Sequence, residues 1–382
     1  MFCGAILLND RTVALAGILV TPALLSLLPL LLARQSDGRY DAAKWARYIG
    51  LFRVVPILAV AMWWSFCDIF PESLSLMTWR HFFPRSAYFL LAPTVSIAVA
   101  RVIVYGSSRE VFNQRWTNVD ILRLTTWSTM ARTVPLLMVA VGIDALPIRA
   151  LAGLSCLAGA AVVALLATVR LRSAEGFDPR PVNSGELHKR AFVIAKRMGV
   201  RLRRVCVFPS GKGHLTNAFG GLSRSIGVSD DYGKWLKGSQ LDFVVGHELA
   251  HIQQKHWQKK MAALVILFSL VSALGIGLPH LPSAVRAVFP FVAVFVPLLV
   301  FYGLSRRFEY AADRAGVEVA NDASASIQAL AGLYRRTQES PERSRFAELF
   351  ATHPALSRRV ETIARSNQLT AERMSHLVRG VF

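Results

Sequence analysis

Three of the chain's nine histidines fall in one stretch, 246-GHELAHIQQKHW-257, beside a single acid, Glu248. Residues four apart on a helix share a face, their Cβ atoms about 5–6 Å apart. His247 and His251 can therefore grip one metal ion, and Glu248 sits next to them, able to reach a water held by that ion. A catalytic zinc normally takes three protein ligands and leaves one position for water, so this stretch is short by one ligand. His256 is the tempting third. At 100° per residue along a continuous helix it points about 180° from His247 and about 140° from His251. The extended pattern H-E-x-x-H-x-x-G-x-x-H also fails, because Gln254 and Trp257 occupy the positions that need Gly and His. His256 is expected to be a surface or interhelix residue.

The next acid along the chain is Glu309, in 305-SRRFEYAADRAG-316, with Asp313 one helical turn later. Two apolar runs, Met261–Leu278 and Val285–Leu304, lie between. About 20 apolar residues cross a bilayer, so this pair reads as a hairpin that returns the chain to the side it left. Glu309 would then stand level with His247 and His251 as the third ligand. Asp313, on the same face, could accept the N–H of a ligand histidine and hold its tautomer. The competing reading is that both acids form surface pairs with Arg306, Arg307 or Arg314.

The elements that must carry these residues follow from composition. Of the 382 residues 53% are hydrophobic, a surplus over ordinary soluble domains that is concentrated in long runs. Val13–Leu32, Val54–Phe66, Ala87–Tyr105 and Leu151–Val169 precede the hairpin, with a shorter run at Val134–Ile143. Seven spans are expected, six being the alternative, and the first reads as an anchor rather than a cleaved leader. The net charge of +20 does not imply a nucleic-acid partner. Basic residues gather in alternate loops (Arg34 to Arg47, Arg109 to Arg132, Arg170 and Arg172), as they do on the cytoplasmic side of membrane proteins. That pattern predicts a cytoplasmic region from about residue 172 onward. Cys3, Cys67, Cys156 and Cys206 are scattered, which excludes a disulfide framework and a cysteine-type zinc site.

The expected fold is mainly α: a transmembrane helical bundle of about five spans over 1–172, then a region 173–382 interrupted by the hairpin at about 261–304. Ser184–Met198 reads as an amphipathic helix capped by Ser184 and ended by Gly199. Arg203–Phe208 alternates like a strand, and Asn217–Val228 could supply a strand pair through its glycines. Ser239 with Asp242 resembles a capping box opening the histidine helix. Ser305–Val319 reads as a helix, Asp322 as the cap of another running to about Arg336, and Pro354 as a first helical residue.

HELAH and FEYAAD, with 217-NAF-219 before them and 352-THPALSRRV-360 after, resemble the membrane-embedded zinc metallopeptidases that include the CAAX prenyl endopeptidase and the HtpX-type protease. The likeness covers roughly Ser184–Ile363. Seven spans with two between the metal-binding helices look more like the prenyl-protease branch. The resemblance implies a cytoplasm-facing zincin-type metallopeptidase domain over 173–382, holding a small β-sheet. It implies one Zn2+ per chain bound by His247, His251 and Glu309, Glu248 as general base, and Asp313 and Arg359 as the supporting acid and arginine. It further implies that Asn217 belongs to an edge strand accepting substrate backbone, and that His353 faces the active site, where it would stabilise an oxyanion. From the residues alone, His353 equally suits the cap of the helix at Pro354.

The function expected is an integral-membrane zinc endopeptidase acting on membrane-associated or lipid-modified proteins or peptides. The bilayer is its other partner. The cell membrane is the expected location, the endoplasmic reticulum the alternative. Two rivals come from other classes. One is a non-catalytic scaffold or chaperone that binds zinc structurally. The other is a transporter in which the motif is accidental, against which stands the near absence of intramembrane acids.

Overall fold

The computed structural model of the chain describes residues 85–111, 114–132, 150–174, 178–210, 218–221, 224–276, 282–337, 342–343 and 345–379, with isolated positions between 24 and 45 and at 134 and 138. These residues fall into two compact units, one built on the helices before residue 175 together with 270–296, the other on 176–269 and 297–382.

The first unit contains α1 (Arg85–Val111), α2 (Asn118–Arg132) and α3 (Ala150–Ala174). Thr117 and Asp120 start α2 reciprocally: the Asp120 carboxylate accepts the Thr117 N–H at 2.9 Å, and the Thr117 hydroxyl accepts the Asp120 N–H at 3.2 Å. Ile121 and Leu124 then bury against Trp116 and Leu171. The apolar runs Ala87–Tyr105 and Leu151–Val169 lie within α1 and α3. Those at Val13–Leu32, Val54–Phe66 and Val134–Ile143 lie largely outside the described residues. Among the described residues, no helix is long and apolar enough to cross a membrane.

The second unit opens with β1 (Arg180–Pro181) and α4 (Gly185–Arg197), followed by β2 (Arg204–Phe208), β3 (Ala218–Gly221), β4 (Ser225–Ser229) and a single turn, α5 (Tyr232–Trp235). The strand order is β1-β2-β4-β3, with β2 and β4 parallel and β3 paired antiparallel to β4, so β3 is an edge strand. Ser184 is the N-cap residue of α4, in extended backbone and without a side-chain bond, and Gly199 follows its end at φ +68°.

The histidine helix is α6 (Ser239–Gln253), and its start differs from expectation. Gly238, at φ +55°, is the cap, so Ser239 already lies inside the helix and no capping box forms. Asp242 instead accepts two bonds from Arg190 of α4, at 2.8 and 2.9 Å. After a break at Gln254–Lys255 the chain continues as α7 (His256–Ile276) and α8 (Ser283–Ala320). The expected helix at 305–319 is thus the end of one continuous element of 38 residues. The shift from apolar to charged residues at Ser305 marks a change of surroundings, which by itself does not stop a helix.

Asp322 caps α9 (Ala323–Thr337) as expected, accepting the Ala325 N–H at 2.9 Å. Then come α10 (Arg345–Leu349), α11 (Leu356–Ser366) and α12 (Ala371–Leu377). Pro354 is not a first helical residue. Ala355 is the extended N-cap of α11, and its N–H is taken by Glu348 Oε1 at 3.0 Å. The core forms where α6 buries Leu241, Phe243, Val245 and Leu249 against Ile226 and Val228 of β4 and Ile327 and Leu330 of α9. Burying side chains of this kind stabilises the unit by roughly 1.5–3 kcal/mol each.

Candidate metal centre

Two helices carry the site, and small residues let them meet. A Cβ on Gly246 of α6 would stand 3.0 Å from Val319 Cβ, and one on Gly316 of α8 would stand 2.9 Å from the Phe243 carbonyl. Larger residues at either position would force the helices apart. This close crossing sets His247 of α6 against Asp313 of α8, with Nδ1 and Oδ1 3.0 Å apart. Gly220 of β3 is a third close approach: its Cβ would be 2.5 Å from the Glu248 carbonyl oxygen, and its N–H bonds to Glu248.

His247, His251 and Glu309 each bring one ligand atom within 4.8 Å of the others. The two Nε2 atoms are 3.2 Å apart. Glu309 places Oε2 3.6 Å from His247 Nε2 and Oε1 3.4 Å from His251 Nε2. His247 donates its Nδ1 proton to Asp313, so its Nε2 offers a lone pair. Glu309 Oε2 is buried and has no aligned hydrogen-bond donor. Acceptors converging on one another without donors are costly to bury, and a cation between them relieves that cost. The donor set fits a metal ion.

Arg359 of α11 closes the far side. It donates to Asp313 through Nε at 2.8 Å and Nη2 at 2.6 Å, a two-pronged pair buried at 5% and 2% exposure. Neither Glu309 nor Asp313 pairs with Arg306, Arg307 or Arg314 among the described residues. Arg306 donates instead to the carbonyls of Glu348, Leu349 and Ala351. His353 is exposed, and its Nδ1 stands 2.7 Å from Glu309 Oε2, out of hydrogen-bond alignment. It does not cap α11. Asn217 lies outside the described residues, though the edge strand beginning at Ala218 runs past Glu248.

His256 is an interhelix residue, one of the two expected placements, but it arrives there by a different backbone path. The angular argument assumed a continuous helix, but Lys255 adopts φ +55° and the helix restarts at His256. The ring is buried at 2% exposure, stacks on Phe308, and sets Nδ1 2.8 Å from His251 Nδ1. It is an interhelix residue touching a candidate ligand. Gly220, by contrast, was not anticipated. Its only sequence signal was its place in the glycine-rich strand pair.

The electrostatics divide the site. Burial disfavours charge on His247, yet the bonded Asp313, with Glu309 and Glu248, outweighs it and holds the pKa above the ordinary value. Burial and the neighbouring His247 push His251 down to about 3. Burial, helped by Glu309, raises the Glu248 carboxyl. Glu309 sits well below the usual range: burial is overcome by His353, His247 and Arg359. The result is one carboxylate held ionised and another displaced upward, as a proton carrier needs.

Residues 181–367 match Peptidase family M48. That match covers just under half of the chain. Peptidases of that family are metal-dependent, in agreement with the convergence of His247, His251 and Glu309. The chain is 26% identical over 202 residues to a "Protease HtpX homolog" of Methanopyrus kandleri, covering 45% of this chain and 64% of that protein. It is 25% identical over 202 residues to a "Protease HtpX homolog" of Salinibacter ruber, covering 46% and 72%. Its fold is similar to that of S. mikatae Ste24p, with a TM-score of 0.52 at 16% identity over 92% of this chain and 98% of that one.

Proposed function

We propose that the chain is an integral-membrane zinc endopeptidase, with His247, His251 and Glu309 as ligands. The observation that carries this reading is the convergence of those three ligand atoms, within 4.8 Å of one another, beside a buried Glu248. Zinc at such a site polarises a peptide carbonyl and lowers the pKa of water toward about 7. Glu248 takes a proton from the attacking water and passes it to the departing amine, a role its raised pKa suits. Asp313 holds the His247 tautomer, and Arg359 keeps Asp313 ionised and oriented. His353, solvent-facing and next to Glu309, is the group to steady a developing oxyanion. The edge of β3, preceded by Asn217, offers backbone groups to an extended substrate beside Glu248.

The membrane part of the reading rests on the apolar runs of the sequence and the alternation of basic loops. Seven spans, a cytoplasm-facing site, and membrane-associated or lipid-modified protein substrates complete it. Glu248→Gln is the test. The purified variant should bind zinc as the wild type does, while cleavage of an unfolded membrane protein falls roughly 10²–10⁴-fold. Undiminished cleavage would remove Glu248 from its role. A wild type that holds zinc and cleaves no peptide bond would leave the structural-zinc scaffold as the better reading.

A further inference from the structure

We propose that His256 is a positioning residue for the metal centre, holding His251 in the tautomer that aims its Nε2 lone pair at the ion. The inference rests on the reading of His247, His251 and Glu309 as a zinc site.

A neutral histidine ligates through Nε2 only when its proton sits on Nδ1, and a buried Nδ1–H needs an acceptor. For His247 the acceptor is the Asp313 carboxylate. Behind His251 the atom in reach is His256 Nδ1, 2.8 Å from His251 Nδ1. An imidazole nitrogen accepts only when the ring's own proton is on the other nitrogen. His256 Nε2 stands 3.0 Å from Gln254 Oε1, which can take that proton's bond. The groups form a relay in which His251 Nδ1–H donates to His256 Nδ1 and His256 Nε2–H donates to Gln254 Oε1. Run in reverse, the relay would put a proton on His251 Nε2, facing His247 Nε2 at 3.2 Å. A cation between those atoms selects the forward direction.

The backbone is built for this contact. Lys255, in the left-handed region, ends one helix and starts the next, turning His256 back toward the face it would otherwise leave. The ring then lies flat on Phe308, with centroids 4.3 Å apart and planes 5° apart. Phe308 immediately precedes Glu309. One side chain thus meets the second ligand with its edge and the helix of the third with its face.

The experiment uses the full chain in detergent, stripped of metal, with zinc affinity read by competition against a chromophoric chelator. His256→Phe keeps a ring on Phe308 and removes the acceptor. His256→Asn loses the stack but returns an oxygen near the position of Nδ1. His256→Phe should weaken zinc binding roughly 10–100-fold with an unchanged thermal midpoint for the metal-free protein. His256→Asn should recover most of that affinity. With Co2+ in place of zinc, the visible bands should shift in the Phe variant and return in the Asn variant. Wild-type affinity in His256→Phe overturns the proposal, as does affinity that merely tracks the thermal midpoint across both variants. His251→Ala separates the two levels. If it loses zinc while His256→Phe does not, only this inference fails. If it binds zinc like the wild type, the site reading fails and takes the inference with it.

Discussion

The two histidines of the HELAH helix are backed in opposite ways. Behind His247 stand full charges, Asp313 from α8 and Arg359 from α11, brought together from 66 and 112 residues away by the packing of three helices (313 − 247 and 359 − 247). Behind His251 stand neutral groups, His256 and Gln254, drawn from the next few residues of the chain. A carboxylate partner raises the basicity of its imidazole and favours the charged ring. An imidazole partner fixes the tautomer and leaves the ring neutral. Against burial, Asp313 raises the pKa of His247, while burial and the neighbouring His247 take that of His251 down to about 3. Two candidate ligands of one ion are thus held by different physics, one by long-range charge pairing and the other by a local turn.

The contrast can be broken from the charged side first. Arg359→Leu leaves the Asp313 carboxylate buried without its cation, and should cost roughly 3–5 kcal/mol of stability, read as a lowered unfolding midpoint in the metal-free protein. No loss would mean that His247 alone satisfies Asp313. Asp313→Asn keeps the shape and removes the charge. It should weaken zinc binding by about 10–100-fold, and at least as much as His256→Phe does, since only Asp313 contributes charge as well as a tautomer. A loss smaller than that of His256→Phe would argue that charge is irrelevant there.

Acid sharpens the difference. The raised pKa of His247 means that a proton competes with the ion for Nε2 below that pKa, so affinity falls as pH drops through it. His251, neutral down to about pH 3, adds no proton of its own in that range. Zinc affinity should therefore lose about tenfold per pH unit, one proton per ion, and a slope of two protons would erase the distinction between the flanks. The smallest effect is expected from Gln254→Ala. It removes only the end of the neutral relay, and should weaken zinc binding by less than His256→Phe does in the same chelator titration.

Much of this site was legible because its rules are local. The i, i+4 spacing of His247 and His251 puts both on one face of any helix, whatever that helix packs against. Glu309 could be picked out as the first acid after a long apolar stretch, and Asp313 by its one-turn offset. Strands β2 to β4 and the Asp322 cap were readable from alternation, glycines and side-chain capping chemistry. Where expectation missed, a backbone torsion had intervened. Gly238 displaced the capping box at Ser239, the extended Ala355 kept Pro354 out of its helix, and Lys255 broke the continuous helix assumed through His256.

The sequence by itself therefore determined the candidate ligand types, their spacing and the helix that carries two of them, since these depend on contacts within a turn or so. Only the tertiary structure decided which groups stand behind these candidate ligands. Arg359 reaches Asp313, and Gly220 lies against Glu248, because separate elements pack within van der Waals distance. His256 faces His251 because a single residue takes a left-handed turn and Phe308, from a helix far along the chain, holds the ring in place. Contacts of that kind depend on how elements close on one another, and no spacing along the chain encodes them.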